Sequence, residues 1–264
     1  MSNSMATPLD VKLMQMATLA LYLVLLTMIA VASARWIARM PAFNIRAIQV
    51  SGDVEHHNAV TMRANVSSHV TGSLFTVELA KVQAAFHAMP WVRSAVVQRV
   101  FPNRLKVKLQ EHQVVAYWGA EGESRLLNTF GEVFDANVGE IEQEDLPRLM
   151  GPENQSAEVL AMYQLIAPHY QQAALPIEEL QLSARGSWRA RLESGTVVEL
   201  GRSGMEEVQS ASLRFLKTVT QVTSRYGRPT SALQSVDLRH QNGYAIRIHG
   251  VSTLLADGTP PKSN

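Results

Sequence analysis

The chain has 264 residues, with 24 lysines and arginines against 23 acids and no cysteine. This balance of charge gives no reason to expect nucleic acid or a strongly acidic partner. The absence of cysteine excludes disulfides, thiolate metal sites and a cysteine nucleophile. About 230 residues follow the apolar segment near the N-terminus, which is enough for one large or two modest domains, and we expect two.

An uncharged apolar run covers residues 13–34. A bilayer core of about 30 Å needs about 20 helical residues, so this run can cross a membrane. Trp36 follows between two arginines, which is typical of an anchor at the membrane surface. We therefore predict a tail at residues 1–12 and a transmembrane helix at residues 13–37.

Two points about this segment stay open. Ala32, Ser33 and Ala34 resemble a signal-peptide cleavage site, although the apolar run is longer than a signal peptide needs. Positive charges are more numerous after the span than before it, which favours a cytoplasmic C-terminal side by simple counting. Long domains cross the membrane largely regardless of such charge, so the count is weak.

Residues 45–113 have the pattern of a small α+β domain with the order β-α-α-β-β. A strand is predicted at residues 45–51 and helices at residues 58–70 and 76–88. Leu105, Val107 and Leu109 then alternate with polar residues, which predicts a strand with one buried face. The helices should cover that face.

Residues 114–255 are predicted to form a second, β-rich domain with an antiparallel sheet and packed helices. Short strand patterns are separated by glycines, and Pro168 should end or kink the first helix. A longer helix at residues 205–226 carries an apolar stripe that ends at Tyr226 and should face the core. Residues 256–264 are predicted to be a disordered tail.

The last two strands of this domain are predicted to form a hairpin. Residues 241–243 would be the loop, with Gly243 in the left-handed conformation. Val236 would then pair with Ile248, and Asp237 would face Arg247 across the strands.

No catalytic pattern is present in the sequence. The eight histidines are scattered without metal-ligand spacing, and there is no nucleophile elbow or phosphate-binding loop. We therefore predict neither an enzyme nor a site for a metal, cofactor or small-molecule substrate. Binding of another protein is the function that remains.

Several short motifs occur in a fixed order along the chain. They include Pro90-Trp91-Val92, Phe101-Pro102-Asn103, Arg185-Gly186-Ser187-Trp188, Leu200-Gly201-Arg202 and Val236-Asp237-Leu238-Arg239. With the apolar segment before them, they make the chain resemble the FtsQ/DivIB family of bacterial cell division proteins. That resemblance implies one membrane span, a POTRA domain and a β domain.

The resemblance also implies a function and its partners. It implies an essential scaffold of the divisome that links early division proteins to the FtsB–FtsL complex and to septal peptidoglycan synthesis. The chain would be a single-pass inner-membrane protein at the septum, with its N-terminus in the cytoplasm and its domains in the periplasm. The residues matching the FtsB-binding surface are Arg185, Arg239, His240, Asn242, Gly243 and Ile248.

In the POTRA domain the resemblance implies a surface that recruits other division proteins. The matching positions are Ser94, Val97 and Arg99. Two other functions stay open: a membrane-anchored POTRA-type chaperone or secretion adaptor that binds substrate strands, and a periplasmic hydrolase. Repeated POTRA units would favour the first, and a convergent set of acid, base or nucleophile would favour the second.

Overall fold

The computed structural model describes residues 9–53, 62, 66–67, 70, 72–123, 125–141, 145–240 and 243–251. The predicted disordered tail, most of the predicted N-terminal tail and most of the first predicted POTRA helix lie outside these residues. The fold is α+β, as predicted. The chain forms two compact units, Met1–Glu111, which includes the N-terminal helix, and His112–Asn264.

The N-terminal helix, α1, runs from Leu9 to Ala38 and contains the predicted span. At about 1.5 Å per residue it is about 45 Å long, more than a bilayer core requires. Its length and apolar composition allow it to cross a membrane. A short 3-10 helix, Pro41–Phe43, leads from α1 into the first unit.

The first unit is built on a three-stranded sheet. Strands β1 (Ala47–Asp53), β2 (Val92–Val100) and β3 (Arg104–Glu111) have the order β1-β3-β2. Strand β1 is parallel to β3, and β2 is antiparallel to it. Helix α2 (Leu79–His87) precedes β2. The central position of β3 explains why its inward side chains are completely buried.

The predicted alternation in β3 is confirmed. Leu105, Val107 and Leu109 are at most 2% exposed, and they share a core with Val82 and Phe86 of α2. The residues between them on β3 are exposed or only partly buried. One face of the sheet is therefore covered by the helix, and the other carries the lysines of β3 together with the exposed Val96 and Val100 of β2.

The second unit is built on a nine-stranded sheet with the order β12-β11-β10-β9-β8-β7-β4-β5-β6. Its strands are β4 (Val114–Trp118), β5 (Arg125–Asn128), β6 (Val133–Asp135), β7 (Arg148–Met150), β8 (Ile177–Leu182), β9 (Trp188–Leu192), β10 (Val197–Gly201), β11 (Leu233–Asp237) and β12 (Ala245–Ile248). The prediction of an antiparallel sheet is only partly right, because three of the eight neighbouring pairs are parallel: β10 with β11, and β7 with both β4 and β8. Short 3-10 helices lie at Val138–Glu140, Glu153–Gln155 and Thr230–Ala232.

Two helices of the second unit, α3 (Ser156–Gln172) and α4 (Met205–Arg225), share one hydrophobic core with this sheet. The predicted stripe on α4 is confirmed at Val208, Phe215 and Val219, which are at most 1% exposed. It is wrong at Tyr226, which is 51% exposed because the helix ends one residue earlier. The start of α4 lies beside Leu200 of β10 and beside Leu238, which follows β11.

The prediction that Pro168 ends or kinks the helix is wrong about the end. Helix α3 continues past Pro168 to Gln172. Tyr170 lies in this last turn, is completely buried and donates a hydrogen bond from its hydroxyl to Ser212 Oγ at 3.3 Å. Tertiary packing of the last turn thus offsets the backbone hydrogen bond that the proline cannot make.

Candidate protein-binding site

Strand β12 is the last strand of the nine-stranded sheet. It pairs with β11, and among the described residues no strand lies along its other side. An edge strand presents unpaired backbone N–H and C=O groups to which another strand can bind. The candidate binding surface, called here the β12 edge, consists of residues 243–248 together with Arg239 and His240, which come just before the connecting loop.

The predicted hairpin register is wrong. Val236 pairs with Ile246 rather than Ile248, and Asp237 pairs with Ala245 rather than Arg247. Seven residues, 238–244, therefore separate the two strands, in place of the predicted loop of three.

Two contacts explain the longer connection. The N–H of Leu238 donates to the carbonyl of Glu199 on β10 at 2.8 Å, so the chain stays beside β10 after β11 ends. Tyr244 packs edge-on against Phe215 of α4, with ring centroids 5.2 Å apart, and its hydroxyl lies 2.7 Å from Thr218 Oγ1. The loop is thus held by the neighbouring strand and by the helix layer.

The backbone of Ile246 faces the free side of β12. Consecutive residues of a strand point their N–H and C=O groups to alternate sides. The backbone N–H of Leu238 points toward β10, so the backbone groups of Asp237 and Ser235 point the other way, toward β12. There Asp237 pairs with Ala245, and Ser235 pairs with Arg247. Ile246 lies between these two partners, so its N–H and C=O point away from β11.

Arg239 forms a two-pronged ion pair with Asp237. Its Nε donates to Oδ1 at 2.8 Å and its Nη2 to Oδ2 at 2.5 Å, while its backbone N–H also donates to Oδ1 at 3.0 Å. These hydrogen bonds lower the pKa of Asp237 to about 2 and raise that of Arg239. The guanidinium remains exposed. The aliphatic stem of Arg239 lies against Gly201, whose left-handed conformation (φ +93°) and missing side chain leave room for it.

The structure brings four of the six predicted partner-binding residues to one end of the sheet. Arg239 and His240 follow β11, Gly243 precedes β12, and Arg185 lies in the turn between β8 and β9. The strand pairing shows that the turn containing Arg185 lies at the same end of the sheet as Arg239. The strand ends that flank this turn, Leu182 and Trp188, pair with each other. Trp188 also pairs with Gly201, which lies against Arg239. Asn242 lies outside the described residues.

The role expected for the side chain of Ile248 needs correction. Ile248 is 5% exposed and belongs to the core cluster of the second unit. It pairs with Leu233 at the opposite end of β12 from Arg239. The side chain is therefore occupied in the core. The predicted pairing with Val236, which is 1% exposed, already placed Ile248 on the buried face, so the surface role that the family resemblance implied conflicts with the strand pattern in either register.

Arg247 is a site residue that sequence reasoning assigned wrongly. It is exposed on β12 opposite Ser235, and it forms no ion pair with any other described residue. By contrast, arginines further into the sheet are paired: Arg189 with Glu199 at 2.7 Å and Arg191 with Glu179 at 3.0 Å. If the register had been known, the sequence alone would have shown that Arg247 faces Ser235, which carries no charge to pair with it.

A groove of about 430 Å³ lies beside Arg239 and His240. Its other wall is the first part of α4, which includes Glu206, Glu207 and Arg214. The groove therefore offers groups of both charges next to the connection between β11 and β12. This arrangement suits a peptide with polar side chains better than an apolar small molecule.

The predicted recruitment surface of the first unit is on β2, another edge strand. Val97 is 9% exposed and belongs to the core, so its side chain is not part of a surface. Arg99 donates from Nε to the carbonyl of Leu74 at 2.6 Å and from Nη2 to that of Val77 at 2.9 Å, so it holds a loop of its own unit. Ser94 is half-buried beside Gln110.

These features define a class: a protein with one N-terminal span, a small domain of POTRA type and a second, sheet-rich domain with an open edge. The family model "POTRA domain, FtsQ-type" matches residues 43–112, and the model "Cell division protein FtsQ/DivIB, C-terminal" matches residues 116–239. The chain belongs to the FtsQ/DivIB family and is a single-pass membrane protein of cell division.

Individual relatives are similar along almost the whole chain. Cell division protein FtsQ of Burkholderia pseudomallei is 39% identical over 246 residues, covering 93% of this chain and 96% of that protein. FtsQ of Thiomonas arsenitoxydans is 38% identical over 247 residues, covering 92% and 89%. FtsQ of Neisseria meningitidis serogroup B is 27% identical over 243 residues, covering 92% and 96%.

Proposed function

We propose that this protein is a non-catalytic scaffold of the divisome whose β12 edge binds FtsB, and through it the FtsB–FtsL complex. The observation that carries the proposal is the open edge of β12, with an outward-facing backbone at Ile246 and exposed arginines on either side of it. A partner segment would add a tenth strand to the nine-stranded sheet.

Charge supports this mode of binding. Arg247 lies on the edge strand itself and Arg239 at its end, so carboxylates on the partner would meet a cation at both places. Arginine is suited to this role because its planar fork binds a carboxylate through two hydrogen bonds. Nε and Nη2 of Arg239 already donate to Asp237. A partner carboxylate must therefore either share the guanidinium with Asp237 or displace the Asp237 carboxylate from it.

The position of the chain in the cell belongs to the same proposal. The N-terminus would be cytoplasmic, both domains periplasmic, and the protein located at the septum of the inner membrane. Tethering by the span concentrates partners in two dimensions, so modest interfaces suffice for assembly. The scaffold would thereby link early division proteins to septal peptidoglycan synthesis.

A titration of the full chain with the periplasmic segment of FtsB tests the proposal. The informative variant is Arg247→Glu, which reverses a charge on the edge without breaking an ion pair among the described residues. The matched control is Arg225→Glu at the far end of α4. This residue is exposed too, and about 17 Å of helix separates it from Arg214, the nearest α4 residue of the groove wall.

Binding that weakens at least tenfold in Arg247→Glu and is unchanged in Arg225→Glu would support the β12 edge as the site. Equal binding by both variants would place the contact elsewhere, and no binding by the unmodified chain would exclude FtsB as the direct partner. A scrambled FtsB segment binding as tightly would instead favour a promiscuous strand binder.

A second candidate function rests on strand β2. It is nine residues long, it lies at an edge of the three-stranded sheet, and Val96 and Val100 are exposed on it. Substrate strands could add there, as in a membrane-anchored chaperone or secretion adaptor. In the scaffold proposal the same edge, around Ser94, would recruit other division proteins through its backbone.

Measuring which amides become protected from hydrogen exchange distinguishes the two candidates. A chaperone would bind unrelated extended peptides and protect the amides of β2. A specific scaffold would show protection at β12 with FtsB alone, and unrelated peptides would leave both edges unchanged.

A further inference from the structure

Three phenylalanines form an exposed aromatic cluster in the POTRA domain. The rings of Phe43 and Phe75 are 5.0 Å apart at 68°, and those of Phe75 and Phe101 are 5.7 Å apart at 56°. Phe75 is 43% exposed and Phe101 is 63% exposed. This much exposed aromatic surface in one place is unusual for a water-facing part of a protein unless something covers it.

The cluster is held by the backbone of three separate segments. The N–H of Leu74 donates to the carbonyl of Phe43 at 2.8 Å, and the N–H of Arg46 donates to that of Asn103 at 2.9 Å. Arg99 fixes the Leu74–Val77 loop through the two hydrogen bonds described above. The rings are therefore presented by a defined structure.

The chain length places this cluster close to the membrane. Phe43 follows the last residue of α1, Ala38, by five positions, and five residues reach at most about 17 Å when fully extended. Trp36, in the last turn of the helix, belongs at the membrane surface. The polar layer on each side of a bilayer is about 5–8 Å thick, so the rings lie within reach of it.

The surroundings of the cluster carry an excess of positive charge; Glu78, an exposed acid three residues after Phe75, is paired with Lys81 at 3.1 Å. No acid occurs in residues 11–52 or in residues 79–110. Exposed arginines flank the cluster in both segments, Arg39 and Arg46 before β1 and Arg104 at the start of β3. Aromatic rings with cations around them match an interface in which apolar chains meet anionic headgroups.

We propose that the Phe43–Phe75–Phe101 cluster inserts into the surface of the bilayer next to the chain's own span, in a membrane containing anionic lipid. This contact goes beyond the proposed scaffold function and does not depend on the identity of any protein partner. The contact would dock the POTRA domain on the membrane. The domain would then keep one orientation relative to the bilayer and would not rotate freely on its linker.

Spin labelling of the full chain in liposomes tests the proposal. The chain has no cysteine, so Phe101→Cys provides a single attachment site. His87→Cys is the matched control in the same domain. His87 is exposed and is the last residue of α2, about 12 Å along the helix from its first residue, Leu79. Accessibility to oxygen, which concentrates in lipid, is compared with accessibility to a water-soluble nickel complex.

In vesicles of phosphatidylcholine with phosphatidylglycerol, the ratio of oxygen to nickel accessibility should be several-fold higher at 101 than at 87. Adding Phe75→Ser should lower the ratio at 101, and thermal unfolding of each variant checks that the domain remains folded. Arg46→Glu with Arg104→Glu should lower it as well, which tests the contribution of anionic headgroups.

A label at 101 that is as accessible to nickel as the label at 87 would overturn the proposal. So would a label shielded from both reagents, because that pattern indicates cover by protein and not by lipid. Either result leaves the FtsB titration unaffected, since that experiment concerns the second domain.

Discussion

At the scale of single residues, the ion pair between Asp237 and Arg239 shapes the candidate site. The carboxylate accepts three hydrogen bonds from one arginine, which keeps the guanidinium oriented beside the end of β12. Because the pair is largely exposed, its contribution to the free energy of unfolding is small. The ion pair matters for binding because it holds Arg239 in one orientation while its guanidinium stays exposed.

The first prediction concerns the pH dependence of this pair. The pKa of Asp237 is lowered to about 2, so its stabilising effect is fully present above about pH 4 and is lost as the pH falls toward 2. The carboxyl carbon shift of Asp237, followed by NMR, should titrate near 2. In Arg239→Gln the midpoint should return to the ordinary range near about 3.9. A midpoint near 4 in the unmodified chain would contradict the pairing.

At the scale of elements, the two helices of the second domain are joined by a buried polar contact. Tyr170 of α3 is completely buried, and burial raises its pKa to about 12. Its hydroxyl donates to Ser212 of α4, which is 1% exposed. A buried hydroxyl needs such a partner, so the contact specifies how the helices face each other.

The second prediction is that Tyr170→Phe lowers the free energy of unfolding by about 1 kcal/mol, because Ser212 loses its partner. Ser212→Ala should cost a similar amount, and the double variant less than the sum of the two single variants. Denaturant unfolding of the three variants measures this. Additive effects would mean that the hydroxyls do not interact.

A third prediction concerns the edge strand. The amide of Ile246 points away from β11, so it should exchange with solvent rapidly in the free protein and become protected when a strand of FtsB binds. The amides of Ser235 and Asp237 point toward β12 and should already be protected. Amide-resolved hydrogen exchange with and without the FtsB segment measures both. Unchanged exchange at Ile246 on saturation would contradict strand addition.

At the scale of the whole molecule, each of the two units has a hydrophobic core of its own. The core of the first includes Leu105 and Phe86, and that of the second includes Trp118 and Phe215; the two clusters share no residue. Domains with separate cores can lose structure independently.

The fourth prediction follows from the separate cores. Leu105 is 0% exposed at the centre of the first core, so Leu105→Ala should lower the stability of that domain by about 2–5 kcal/mol. Hydrogen exchange of the full chain should then increase in strands β1–β3 and stay unchanged in β8–β11. An equal increase in both domains would show that they unfold as one unit.

Much of the fold was predictable because local patterns report burial directly. The alternation around Val107 identified β3, and the helical spacing from Val208 to Val219 identified the buried face of α4. The candidate site was only partly predictable. Arg239 is exposed, so its side chain is available for the binding role that its motif predicts, whereas Ile248 and Val97 were expected at a surface and lie in cores.

The sequence by itself determined that the chain has a span, two domains and a family, because these depend on residues that are close together along the chain. Only the tertiary structure decided which strand is the open edge, since strand order depends on contacts between distant segments. It also decided the register of the last hairpin, through the bond from Leu238 to Glu199 and the packing of Tyr244 on Phe215. Those long-range contacts are more specific than the turn preferences of three loop residues, and they place Arg247 opposite Ser235 and not opposite Asp237.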